Sequence, residues 1–317
     1  MKKILVIGAG VSGLSSAIML QDAGYEVTIW AKDVTPNTTS DVAAAFWYPY
    51  LCNPKNKAAI WAKNTYDYVT KVVMVDAAAG CTLRTAYNLY DHKVGEPWWK
   101  NTLPTYRHAS KSELPPGYVD GYKIRVPLMD SSRYMPWLME EFFDADGVLV
   151  QKTVNNFDSC FEDFDLVVNC TGLGSKELCN DDNLVPVRGQ VIRASRQGLN
   201  DVVSDDESVN KLVYIIPRYD DVVIGGTADV GEYSLEPSDI VTKEIARKAK
   251  LIYPALKDLE ILQIKVGLRP SRDEVRLETE HTKNGVIVHN YGHGGAGYTL
   301  SWGCAMEVVE LVEKALA

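Results

Sequence analysis

The stretch "VIGAGVSGLS", Val6–Ser15, stands almost at the start of the chain and decides how the rest is read. An apolar run, "KILVI" over 3–7, ends at Gly8, and two more glycines follow at positions 10 and 13. Such a run predicts a parallel strand buried on both faces. A helix is predicted over 12–23, with Leu14, Ala17, Ile18 and Leu20 near one face and Gly24 as its stop. "EVTIW", 26–30, supplies a second strand and completes a βαβ opening. In that context Gly8 permits the tight turn, Gly10 lets a pyrophosphate approach the backbone, and Gly13 lets the helix pack closely on the sheet. The N–H groups at the helix start, at Val11 and Ser12, then face the phosphates, where the positive helix end favours anions. The plain alternative is a tight βα turn that holds nothing.

A carboxylate about 20 residues further on binds the adenosine ribose in such folds, and Asp33 stands 20 residues after Gly13. A solvated loop acid is the competing account of Asp33, and Lys32 beside it either touches phosphate or is solvated. NAD, NADP and FAD all remain open at this point. The far end of the chain separates them: "GHGGAG", Gly292–Gly297, precedes a last amphipathic helix. Small residues there admit a planar ring, and helix-start N–H groups face its polar edge, which favours FAD.

The chain has 317 residues, 46% hydrophobic and 24% charged, long enough for two domains with substantial cores. A net charge of −9 with no dense Lys/Arg run argues against a nucleic-acid partner. Six cysteines, at 52, 81, 160, 170, 179 and 304, show no Cys-x-x-Cys pair, which points to a reduced setting. No apolar run approaches the roughly 20 residues of a membrane span, and the basic, apolar amino terminus reads as a strand. His92, His108, His281 and His289 form no metal spacing, so no metal is expected.

Between about 51 and 127 the parallel rhythm gives way to Tyr, Trp, Asn and Pro. A helix over 131–147 ending at Gly147 and a buried strand over 165–172 turning at Gly172 mark a return to the first domain. "VRGQVIRA", "KLVYIIP" and "DVVIGG" alternate with turns and predict an antiparallel sheet. Residues 238–252 have helical spacing, with Ile240, Ile245, Ala249 and Ile252 apolar. The expected fold is therefore α/β: a Rossmann-like doubly wound dinucleotide-binding domain (1–50, 128–187 and 268–317) interleaved with an antiparallel-sheet substrate domain (51–127 and 188–267).

Beyond the glycine fingerprint, "TTSDVAAAFWYPY", "VVNCTGLG", "VRGQVI", "YIIPR", "GGT", "GLRPSRDEVRLE" and "HNYGHGGAGYTLSWGCA" occur in order over nearly the whole chain. Together they resemble the D-amino-acid oxidase family. The resemblance implies FAD, oxidation of a D-amino acid to an imino acid by hydride transfer from Cα to flavin N5, and reduction of O2 to H2O2. It assigns Thr38, Thr39, Ser40, Ala43 and Ala44 to a flavin-contacting loop, and Cys170, Thr171 and Gly172 to the cofactor as well. It makes Gly294, Gly295, Ala296, Gly297, Tyr298 and Thr299 the flavin-binding glycine loop. Arg269 is then the arginine that binds the substrate carboxylate, and Tyr214 the tyrosine whose hydroxyl also reaches it. Without the resemblance, Arg269 would read as a surface ion pair and Tyr214 as a half-buried strand tyrosine.

Several positions depart from the better-known pattern. "SDDESVNKL" supplies no second tyrosine, Ala228 stands where fungal-type members have an aromatic residue, and Tyr48 replaces a frequent Gln. With Ala228, the aromatic residues Phe46, Tyr48 and Tyr50 are the candidate substrate pocket and favour a neutral or bulky side chain. Acidic substrates would need a further cation; Arg218 and Lys211 are the candidates, and both read as solvated strand-end charges. His293 is tempting as a base but reads as a histidine satisfied by backbone hydrogen bonds. The alternatives kept open are a D-aspartate oxidase or glycine/secondary-amine oxidase of the same superfamily, and a non-catalytic dinucleotide-binding protein. The carboxyl-terminal "EKALA" lacks a Ser-Lys-Leu type address, so a cytoplasmic location is expected. The expected partners are a D-amino acid and O2 and no membrane, with a homo-oligomer left open.

Overall fold

The computed structural model describes residues 2–196, 198–208 and 212–317. β1 (Lys3–Ile7), α1 (Val11–Asp22) and β2 (Glu26–Ala31) form the expected βαβ opening. α1 buries Leu14, Ala17, Ile18 and Leu20, and the chain leaves it through Gly24 at φ +89°. The short α2 (Thr39–Val42) and the long α3 (Lys55–Lys71) precede the strands β3 (Cys81–Tyr90), β4 (Tyr106–His108) and β5 (Asp120–Met129). α4 (Ser131–Asp144), β6 (Val148–Gln151), β7 (Leu166–Asn169) and α5 (Ser175–Leu178) return to the first layer. Next come β8 (Val185–Ser195), β9 (Val202–Asp205), β10 (Val213–Pro217), β11 (Asp221–Gly225) and β12 (Asp229–Val230). α6 (Asp239–Ile252), β13 (Ile261–His281), β14 (Val286–His293) and α7 (Gly297–Leu316) close the chain.

Among the described residues one sheet runs in the order β4-β5-β3-β9-β10-β11-β8-β13-β14-β7-β1-β2-β6, with β12 pairing to β8. The half from β14 to β6 is parallel. The other half is antiparallel except where β3 meets β9. β13 joins the two: residues 261–271 pair with β8 and residues 271–281 with β14, with an irregularity between Ser271 and Arg276. The domain limits drawn at 127/128, 187/188 and 267/268 fall inside β5, β8 and β13, so at those points the halves are joined by running strands rather than linkers.

Two helix details differ from expectation. α4 stops at Asp144, and Asp146, at φ +60°, takes the left-handed position assigned to Gly147. On α6 the buried stripe is Thr242, Ile245, Ala249 and Ile252, while Ile240 is 81% exposed. At 100° per residue Ile240 lies about 140° around the helix from Ile245.

α3 belongs against α7 rather than with the strands that follow it in sequence. Trp302 stacks on Tyr68 at 4.3 Å between ring centroids, and Trp61 Nε1 donates to Glu307 at 2.6 Å. A Cβ at Gly303 would overlap the backbone of Trp61, and the Gly303 N–H donates to Thr65 Oγ1 at 2.9 Å. Gly303→Ala is therefore expected to push the helices apart and destabilise the fold by about 1–3 kcal/mol. A Tm unchanged within error by calorimetry would show that the helix pair tolerates the methyl group.

Candidate active site

A cavity of about 660 Å³ runs from the β1–α1 turn, past α2 and β13, to β10. At one end a Cβ on Gly13 would overlap the Gly8 carbonyl, so α1 packs on the turn as closely as glycine allows. Gly8, at φ +111°, turns there against the Cys170 carbonyl. Gly10, Val11 and Ser12 face the cavity, and Ser40 Oγ accepts from the Val11 N–H at 3.0 Å. Lys32 and Asp33 line the same end, where β2 stops.

Thr38, Thr39, Ser40, Ala43 and Ala44 all line the cavity. Their loop is held by Asp41, a buried residue that sequence reasoning missed. Asp41 accepts from the Thr38 N–H at 2.9 Å, the Thr38 hydroxyl at 2.6 Å and the Thr35 hydroxyl at 2.7 Å. The pairing of Thr38 with an acid three residues on is a capping box at the start of α2, a legible signal. Cys170, Thr171 and Gly172 line the cavity from the end of β7; burial pushes the Cys170 thiol up to about 12, so it acts as packing.

From the carboxyl-terminal loop, Gly294, Gly295, Gly297 and Tyr298 reach the cavity. Ala296 is buried behind them, and Thr299 is occupied with the backbone of Tyr48, accepting its N–H at 3.0 Å and donating to its carbonyl at 2.9 Å. These two expected cofactor residues shape the loop instead of lining the space. His293 is 5% exposed, its Nδ1 is 3.5 Å from Ser12 Oγ, and its Nε2 has no partner among the described residues. The expectation of a histidine satisfied by backbone bonds is corrected: its one ring contact is with the Ser12 side chain, and no backbone group meets Nε2 among the described residues. Burial lowers its pKa to about 4, so the ring is neutral near pH 7.

At the other end Arg269 and Tyr214 meet. Arg269 stands on β13 opposite Val187, Tyr214 on β10 opposite Gly225, and the two side chains are within electrostatic reach of each other at the cavity. Arg269 Nη1 also donates to the Thr227 carbonyl at 2.9 Å. A Cβ at Gly189 would overlap the guanidinium, and one at Gly225 would overlap the phenol ring. The space for both groups is therefore reserved by glycines on neighbouring strands. Burial raises the Tyr214 pKa, against the pull of Arg269, so the phenol stays protonated as a donor.

Phe46, Tyr48 and Tyr50 wall this end, Phe46 stacking on Tyr48 at 5.7 Å. Ala228 is corrected: it is exposed and outside the cavity, because β11 ends at Gly225 and the chain turns outward after Thr227. Arg218 is corrected as well. It is 2% exposed, with Nε 2.7 Å from Asp221 Oδ1 and Nη1 3.3 Å from Asp130 Oδ1, and is committed to the fold. Lys211 lies outside the described residues.

Residues 3–311 match the FAD dependent oxidoreductase (DAO) family. The chain is 41% identical to a D-amino-acid oxidase of Dictyostelium discoideum, over 99% of this chain and 92% of that protein. It is 39% identical to a D-amino-acid oxidase of Rubrobacter xylanophilus, over 99% and 97%. A human D-aspartate oxidase is 32% identical over 98% and 95%. In fold it resembles a glycine oxidase from Bacillus cereus, with a TM-score of 0.81, 17% identity and coverage of 99% and 95% of the two chains. With the three-glycine turn at one end of the cavity and the Arg269–Tyr214 pair at the other, the chain belongs to the FAD dependent oxidoreductase family.

Proposed function

We propose that this chain oxidises D-amino acids to imino acids, with FAD as the electron acceptor. The observation that carries this is the Arg269–Tyr214 pair at the far end of the cavity that begins at the Gly8–Gly13 turn. The residues present fit a flavin dinucleotide: Gly8 and Gly13 leave no room for a Cβ so that the backbone of the turn is bare, Gly10 faces the cavity, and the buried His293 Nε2 has no partner among the described residues. Gly10, Val11 and Ser12 would hold the pyrophosphate, Asp33 the ribose, and the 38–44 and 294–298 loops the remainder. Bound there, FAD supplies a two-electron acceptor that O2 restores with release of H2O2.

The protein's own part is binding and orientation. Arg269 clamps the substrate carboxylate through two N–H groups, and the Tyr214 hydroxyl donates to the same group. Two contacts on the carboxylate anchor one end of the substrate, the aromatic wall holds its side chain, and together they orient the Cα–H; orientation of this kind is where much of the acceleration arises. The aromatic wall of Phe46, Tyr48 and Tyr50 supports bulky side chains. Lys32, Lys152 and Arg269 are the cations lining the cavity among the described residues, and Lys32 belongs to the Asp33 end. Lys152 lies over the Trp30 ring at that same end, so among the described residues Arg269 is the cation at the Tyr48 end.

All six cysteines are unpaired, which supports a reducing compartment such as the cytoplasm. Among the described residues no helix is long and apolar enough to cross a membrane.

The test is anaerobic mixing of the purified yellow protein with a panel of D-amino acids beside their L-enantiomers. Bleaching of the flavin band by D-substrates alone, with H2O2 formed when air is admitted, is the expected result. Equal reduction by L-enantiomers, or reduction by glycine and secondary amines only, would move the chain to another branch of its family.

A further inference from the structure

The cavity holds a carboxylate that clamping an amino acid's carboxylate does not require. β9 closes on Ser204 and Asp205, whose side chains point in opposite directions, and the chain runs on into "DES", 206–208. Ser204 lines the cavity. Asp205 is buried on the opposite side, where it accepts from the Tyr118 hydroxyl at 2.8 Å, the Ser208 N–H at 2.9 Å and the Ser208 hydroxyl. Those bonds pin the turn, and Asp206, one residue on, returns to the cavity. Its carboxyl is within electrostatic reach of Tyr48, Arg269, Tyr214 and Tyr50. It stands among the residues that would surround the substrate, away from the Asp33 end.

We infer that Asp206 is a specificity-determining residue that extends the substrate range to D-amino acids with a cationic side chain, such as D-lysine and D-ornithine. This rests on the D-amino-acid reading of the Arg269 end. A lysine-type side chain suits both features of that end: its apolar stem covers the aromatic wall, and its ammonium group reaches a carboxylate that lines the same cavity. A substrate carboxylate in the same place would meet like charge instead.

The ionisation of Asp206 follows from what faces it. Burial comes first, then Asp205 and Glu207 on its own turn; Tyr48 and Arg269 pull the other way, and the pKa rises to about 7. Among the described residues Tyr50, Tyr90 and Tyr214 are the other titratable groups that face it, and all three are protonated near neutrality. A substrate cation favours the ionised carboxylate, and the displaced proton leaves to solvent. Preference for a cationic over a neutral side chain should therefore grow as pH rises through about 7.

The experiment compares kcat/KM for D-lysine with that for D-norleucine, which has the same carbon chain and no ammonium group, using wild-type holoenzyme and Asp206→Asn between pH 6 and 8. Hydrogen bonds to charged groups are worth enough that the D-lysine to D-norleucine ratio should fall about tenfold or more in Asp206→Asn at pH 8. D-norleucine should stay within about threefold of wild type, since its carboxylate contacts are untouched. The wild-type ratio should climb with pH, the variant's should stay flat, and Asp206→Glu should restore part of the preference. An unchanged ratio in Asp206→Asn, or a parallel loss on both substrates with no rescue by Asp206→Glu, would overturn the assignment and leave the D-amino-acid reading standing. Absence of flavin reduction by every D-amino acid in wild type would overturn that reading instead.

Discussion

Arg269→Ala is expected to lower kcat/KM for a good D-amino acid by roughly 30-fold to 1000-fold, the loss of a charge-assisted two-point contact worth about 2–4 kcal/mol. Its guanidinium occupies space that Gly189 keeps free, donates to the Thr227 carbonyl and stands beside the Tyr214 phenol. Removing it strands these partners and leaves the substrate carboxylate with one donor. FAD content should change little, because the residue faces the end remote from the glycine turn. Arg269→Lys should recover only part of the activity, keeping the charge but not the planar fork. Anaerobic stopped-flow reduction of the flavin measures both variants. Wild-type reduction by Arg269→Ala would remove the carboxylate clamp and with it most of the case for this substrate class.

Gly10→Leu is the second large effect: the flavin-to-protein ratio should fall at least about tenfold, because a side chain there occupies the approach of the pyrophosphate to the helix start. A Cβ at Gly10 would stand 3.2 Å from Ser40 Oγ, the atom that accepts the Val11 N–H, so a larger group also displaces the 38–44 loop. Circular dichroism should show a folded apoprotein, since Gly10 borders the cavity and not the sheet. Gly13→Ala provides the contrast. There the new carbon runs into the Gly8 carbonyl beneath α1, and soluble yield itself should drop. Absorbance at the flavin band against protein concentration reads both; stoichiometric flavin in Gly10→Leu would contradict the cofactor placement.

The cofactor end was legible because it is built from backbone. Glycines at 8, 10 and 13 between a strand and a helix are a local pattern, and the loops at 38–44 and 294–298 carry their small residues contiguously. The substrate end was less so, because its space is made by residues distant in sequence from those that fill it. Nothing local to "VRGQ" shows that Gly189 makes room for a guanidinium 80 positions later. Asp206 sits in "SDDES", which reads as a solvated turn until alternation along β9 directs it inward. Ala228 was carried over by chain position, yet a strand that ends three residues earlier takes it outside. The continuity of β13 was hidden by Gly267, Pro270 and a run of charges, which look like a boundary; the strand tolerates them because its pairing changes from β8 to β14 at Ser271.

That unbroken strand governs how the molecule breathes. A protein whose halves are separate bodies admits and releases ligands by rotation about a hinge. Here 21 residues of one strand are laced to a neighbour on each half, and Arg269 lies just ahead of the crossover. Opening along that line would tear ladder hydrogen bonds on both sides at once. Traffic of substrate, product and O2 is thereby left to local movements that keep the ladder intact. Turnover limited by product escape would remain indifferent to any brace placed across the two halves.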